Sequence, residues 1–131
     1  MIRNILISMR PYQWAKNVLV FAALFFSLSF LDTHAIKLSI GAFIAFCLVS
    51  SSVYLLNDIR DRQSDKLHPV KKDRPIASGA LAPRNALVAF FILLTAGLGL
   101  SYFINFSFLI LLGFYVQRNP SKLCCVTIWI I

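Results

Sequence analysis

Apolar and polar residues do not alternate along this chain; they are sorted into long blocks. An uncharged run over 18–31 follows a basic opening. Extended back to Trp14, it approaches the roughly 20 residues that a helix needs to cross the hydrocarbon of a bilayer. Residues 38–56 carry no charge at any of nineteen positions. A third block, 86–108, contains Gly97 and Gly99, with Asn105 its one strongly polar residue. A fourth begins at Leu109 and soon meets Arg118, Asn119 and Pro120. Backbone groups in lipid must be satisfied within the segment, so these blocks predict helices. The pattern gives an all-α membrane protein with three transmembrane helices plus a partial fourth, at about 15–33, 37–56, 86–108 and 109–117. Gly41 and Ala45 form a small-xxx-small pair that would let another helix come close.

Composition sharpens this picture. Hydrophobic residues make up 59% of the 131, and charged residues 14%, about half the share usual in soluble domains. The net charge of +8 then favours anionic lipid or an anionic substrate over nucleic acid, because most of the phenylalanines lie inside apolar blocks. The basic residues are also unevenly placed. Arg3, Arg10 and Lys16 precede the first block, seven more lie in 57–84, and the hinge at 32–37 carries only Lys37. The positive-inside rule places the N-terminus and the 57–84 loop in the cytoplasm of a multi-pass protein of the cell membrane. The first block read alone resembles a signal-peptide core with Thr33-His34-Ala35 as a loose cleavage site, but further spans follow it. Cys47 reads as a packing residue, and Cys124 and Cys125 as a possible site of palmitoylation.

The chain has five acids and no Glu, and three of them, Asp58, Asp61 and Asp65, fall within eight residues at the end of the second block. If that helix continues past the membrane, the three lie within about 60° of one another and Asn57 widens the arc to about 100°. Like charges some 6–7 Å apart repel by about 2.5 kcal/mol at an effective dielectric of 20, so a cation should accompany them. The plain expectation is a solvated face, with Asp58 paired to Arg62 at i+4. The functional one is Mg²⁺, held by carboxylates and bridging to a diphosphate, with Lys71, Lys72 and Arg74 on the remaining oxygens. The same basic turns would also be drawn to anionic lipid. Pro69, Pro75, Gly79 and Pro83 break the loop into turns. His68 precedes Pro69 and suits shaping a turn; no second His or Cys lies at zinc-ligand spacing. Ser50, Ser51 and Ser52 suit hydrogen bonds within or between helices.

The stretch NDIRDRQSD (57–65), followed by RPIASG (74–79), resembles the NDxxDxxxD and RPxxSG elements of the UbiA superfamily of intramembrane prenyltransferases. MRPYQWAKN (9–17) and HPVK (68–71) resemble elements of the branch that contains decaprenyl-phosphate phosphoribosyltransferase. The resemblance covers roughly residues 8–112. It implies Asp58, Asp61 and Asp65, with Asn57, as a Mg²⁺–diphosphate face, and Lys16, Lys72 and Arg74 as substrate-binding cations. In that branch the diphosphate belongs to phosphoribosyl pyrophosphate, and polyprenyl phosphate attacks the anomeric carbon in the synthesis of cell-wall arabinan precursors. No general base is implied, because the attacking oxygen is already ionised. The alternatives are prenyl transfer from an isoprenyl diphosphate to an aromatic acceptor, and a non-catalytic membrane remnant or lipid anchor.

The family's enzymes have about nine membrane helices and a second polar motif, whereas no acid follows Asp73 here and the sequence after Leu112 departs from the pattern. A truncated or frame-altered chain, inactive alone unless a separate chain supplies the C-terminal half, is therefore expected.

Overall fold

A computed structural model describes residues 1–29 and 31–117, and all regular structure among them is helical. The helices are α1 (Ile2–Met9), α2 (Ala22–Phe26), α3 (Thr33–Arg60), α4 (Arg62–Leu67), α5 (Pro83–Ile104) and α6 (Phe106–Gln117). A 3₁₀ helix, Pro11–Phe21, links α1 to α2, and a short 3₁₀ turn, Lys71–Asp73, lies between α4 and α5. Two helices, α3 and α5, are long and apolar enough to cross a membrane, with α6 a shorter apolar helix beside them. Cys124, Cys125 and the divergent tail beyond 117 lie outside the described residues.

The first predicted span differs most from expectation. Residues 15–33 do not form one α-helix: Pro11–Phe21 is 3₁₀, and α2 ends just before Leu28 turns into the left-handed region at φ 53°. A 3₁₀ run this long is unusual, because its hydrogen-bond geometry is poorer than that of an α-helix. Here, polar contacts to α3 accompany it. With three residues per turn, Trp14 and Asn17 fall on one edge. The Trp14 indole donates to Ser51 Oγ at 3.0 Å, and the Asn17 amide donates to Ser50 Oγ and Cys47 Sγ at 3.3 Å each. The expected serine hydrogen bonding is thus present between segments.

The second span starts earlier than 37, because the Asp32 carboxylate accepts from the His34 N–H at 2.9 Å and caps the helix at Thr33. At 28 residues α3 is about 42 Å long, longer than a hydrocarbon layer of about 30 Å. The third span begins with Pro83 in the first turn, where a missing N–H costs nothing. It stops at Ile104 rather than 108, because Asn105 is extended and its side chain accepts from the Ser107 N–H at 2.8 Å.

Helices α3 and α5 run antiparallel and form the principal contact of the fold. A Cβ placed on Gly41 would sit 3.2 Å from Ile104 Cδ1, and one on Gly97 would sit 2.6 Å from Val49 Cγ2 and 3.1 Å from the Ala45 carbonyl. The small-residue pair therefore does face a neighbouring helix, and Gly97 is the reciprocal gap on α5. At the other end of the pair, Leu55, Leu56, Ala86, Ala89 and Phe90 close a core that also takes in Met9 of α1 and Ile76 and Leu81 of the loop. That core fixes where the loop lies.

Gly97→Ala should destabilise the α3–α5 pair by about 1–3 kcal/mol, since the branched Val49 side chain and the Ala45 carbonyl of α3 both crowd the new methyl. Gly99→Ala meets nothing within 4 Å and should be neutral or stabilising by up to about 1 kcal/mol, the cost of glycine inside a helix. Unfolding of both variants in mixed detergent micelles measures the difference.

Candidate functional site

The loop after α4 is made rigid by its own bonds. His68 shapes the turn, its Nδ1 accepting from the Val70 and Lys71 N–H groups at 3.2 and 3.3 Å. Arg74 is extended, as a residue before proline prefers, and its carbonyl accepts from the Ser78 N–H at 2.8 Å. The Leu81 N–H reaches back to the Pro75 carbonyl at 2.8 Å. Gly79 takes φ 85°, which a side chain would strain. With Ile76 and Leu81 fully buried, the segment is pinned against the ends of α3 and α5.

This places Arg74 against the acids. Its Nη1 lies 2.7 Å from Asp65 Oδ2 and 3.2 Å from Asp58 Oδ1. Asp58, in the last turn of α3, and Asp65, on α4, are each only 3% exposed. Asp58 Oδ1 also accepts from Arg10 Nη2 at 2.5 Å. Arg10 follows the last residue of α1 and is left-handed, at φ 53° and ψ 59°, a conformation that costs a non-glycine residue about 1–2 kcal/mol. Its guanidinium carbon lies 5.2 Å from the centroid of the Tyr54 ring. Four separate segments thus meet at two carboxylates.

The single acidic face expected from helical spacing is divided. The chain leaves α-helical geometry at Asp61, where φ is −82° and ψ 4°, and Asp61 is exposed while its two neighbours in the motif are buried. Among the described residues, no group of three His, Cys, Asp or Glu side chains is arranged to hold a metal ion. The expected Asp58–Arg62 pairing is also not formed: Asp58 pairs with Arg10 and Arg74, and Arg62 Nε is buried with no partner. Lys16 and Lys72 are exposed, and among the described residues neither forms a salt bridge to these acids. Arg10 is the participant that sequence reasoning missed. Its signal was present in the MRPYQWAKN stretch, but Arg10 lies 48 positions from Asp58, and nothing local links them.

Two observations bear on whether a cation fits. Oxygens of Asp58 and Asp65 converge on one cationic nitrogen, and the buried Asn57 Oδ1 has no hydrogen-bond partner. Two carboxylates and an amide oxygen are hard donors of the kind Mg²⁺ takes alongside substrate phosphates. The donor set is thus compatible with such an ion, through two carboxylates rather than three.

A profile of the UbiA prenyltransferase family matches residues 18–116, and the chain belongs to that family of integral membrane proteins. It is 35% identical over 122 residues to decaprenyl-phosphate phosphoribosyltransferase of Mycolicibacterium smegmatis, covering 88% of this chain and 38% of that one. The enzyme of the same name from Corynebacterium glutamicum is 41% identical over 98 residues, covering 72% of this chain and 29% of the relative. An uncharacterized protein of Sinorhizobium fredii is 32% identical over 115 residues, covering 88% and 22%. The chain therefore spans between about a fifth and two fifths of the length of these relatives.

The divided motif makes its acids unequal. Asp65→Ala should release Arg74, lower stability by roughly 1–3 kcal/mol, between the values for exposed and buried pairs, and speed amide exchange across 68–81. Asp61→Ala should change stability by no more than about 0.5 kcal/mol. Hydrogen exchange and detergent unfolding of the two variants check this.

Proposed function

We propose that this chain carries the diphosphate-binding part of a Mg²⁺-dependent transferase site at the cytoplasmic surface of the cell membrane. Its substrates on this reading are phosphoribosyl pyrophosphate and a polyprenyl phosphate. The observation that carries the proposal is the convergence of two buried aspartates on one cation position, walled by a rigid basic turn. The two phosphoribosyltransferase relatives support the choice of donor over an isoprenyl diphosphate, since their names state that group transfer.

Asp58 and Asp65, with Asn57 Oδ1, would hold the ion, and the exposed Asp61 stands at the aqueous edge of the site. When bound, Mg²⁺ supplies charge neutralisation for the departing diphosphate. The protein's own part is electrostatic. Arg74 Nη1 stands between the two carboxylates, where the ion would sit, so on this reading it would turn onto the diphosphate as the ion binds, and its planar fork suits phosphate oxygens. Lys72, two residues earlier, is an exposed cation available to the remaining oxygens, whereas Lys16, the sixth residue of the 3₁₀ segment, would have to reach back toward Arg10 to join it. The acceptor phosphate is ionised at neutral pH, so no side chain has to remove a proton. The acceptor's chain would lie in lipid beside the exposed apolar faces of α5 and α6.

The N-terminus and the 57–84 loop lie on the cytoplasmic side in this proposal. Residues 11–26 would supply a further crossing beside α3 and α5. At rises of about 2.0 Å per 3₁₀ residue and 1.5 Å per α residue they reach about 30 Å, the thickness of the hydrocarbon.

Binding of labelled phosphoribosyl pyrophosphate to the chain in lipid nanodiscs tests the proposal. Binding should require Mg²⁺ and weaken at least about tenfold in Asp58→Asn. Equal binding in chelator would overturn the metal site, and preference for an isoprenyl diphosphate would overturn the choice of donor.

A further inference from the structure

We infer that Arg10 is a positioning residue, the fixed counter-ion of Asp58, while Arg74 is the transferable one. The inference rests on the diphosphate reading above and adds a residue and a division of labour to it.

The two arginines reach the same oxygen, Asp58 Oδ1, but are held differently. Arg10 is tied at three points. Its backbone turns out of α1 in the left-handed region, with its own N–H bonded to the Ile7 carbonyl at 3.2 Å. Pro11 then fixes the direction in which the chain leaves. The guanidinium lies over Tyr54 and ends on Asp58. Tyr54 and Asp58 are four residues apart and so stacked on one face of α3. Ser51, one turn earlier on that face, donates to the Met9 carbonyl at 3.2 Å and accepts from the Trp14 indole. The chain on both sides of Arg10 is therefore fastened to the strip of α3 that carries Asp58. A strained non-glycine backbone kept in such a setting is a recognised mark of a working position.

Arg74 has a different attachment. Its Nη1 is shared between two carboxylates on two helices, and the side chain is 27% exposed against 19% for Arg10. If Arg74 turned away while no ion was bound, Asp58 would lose its partner there, and a buried charge without a partner is strongly unfavourable. Arg10 removes that difficulty, because Asp58 keeps one bidentate-capable cation whichever way Arg74 points. It also fixes the orientation of the carboxylate, which is how an outer partner tunes a metal ligand.

The two arginines should then fail in different ways. Pyrophosphate binding to the whole chain in nanodiscs is measured while Mg²⁺ is titrated. Arg10→Gln should raise the Mg²⁺ needed for half-maximal binding by about ten- to a hundredfold, leaving pyrophosphate affinity at saturating Mg²⁺ close to that of the parent. Arg10→Lys should recover part of the loss, since charge returns without the planar fork. Arg74→Gln should show the reverse: weaker pyrophosphate binding at saturating Mg²⁺. A folded Arg10→Gln variant with the parent's Mg²⁺ requirement would overturn the inference, as would equal loss of both quantities. Should Arg10→Gln fail to fold, Tyr54→Leu keeps both charges and removes only the ring. A raised Mg²⁺ requirement in that variant supports the inference, and an unchanged one overturns it. If the parent chain itself binds no pyrophosphate with Mg²⁺, the diphosphate reading falls and this inference with it.

Discussion

A carboxylate shut away from water at the end of an apolar helix cannot be left alone, and the fold around Asp58 is organised by that constraint. Moving an isolated charge out of water costs several kcal/mol even after relaxation, so cations must be delivered to it and held. Two are delivered, one by the chain before α3 and one by the chain after it. Each delivery needs its own structure: the turn from α1 into the 3₁₀ segment for Arg10, and the bonded loop plugged by Ile76 and Leu81 for Arg74. Residues far apart in sequence therefore share one electrostatic centre.

The outline of the fold was legible because it depends on local composition. Charge-free blocks mark α3 and α5, the basic segments flank them, the punctuation by Pro69, Pro75 and Gly79 falls in the turns between helices, and Pro83 opens α5. The break at Asn105 was missed by a span read through to 108, because hydropathy does not register a short polar side chain that bonds its own backbone two residues on. The 3₁₀ form of Pro11–Phe21 was not legible. Hydropathy does not separate a 3₁₀ from an α-helix, and the partners of Trp14 and Asn17 are on another segment.

The site shows the same split between local and non-local information. Helical spacing placed Asp58, Asp61 and Asp65 together only as long as the helix stayed regular. One residue out of α geometry, Asp61 itself, sends its side chain outward and leaves the other two facing the loop. The basic run gave Arg74, which is close in sequence, and gave nothing for Arg10, whose role arises from tertiary packing. Pairing by i+4 rules failed at Asp58 and Arg62 for a related reason. Those rules describe an isolated helix surface, and here two guanidinium groups from other segments compete for the same carboxylate.

The membrane adds a reason for the site to sit where it does. Within a bilayer the hydroxyls of α3 need partners, because water does not reach them. Cys47, Ser50, Ser51, Tyr54 and Asp58 lie along one side of α3, and each touches the segment from Met9 to Asn17. Satisfying the buried hydroxyls along α3 aligns the same segment with the carboxylate near the helix end. A change in register at Trp14 or Asn17 would therefore move Arg10 as well. The polar contacts along α3 and the ion pairs near its end are set by one packing decision, which makes that seam part of the candidate site rather than only its support.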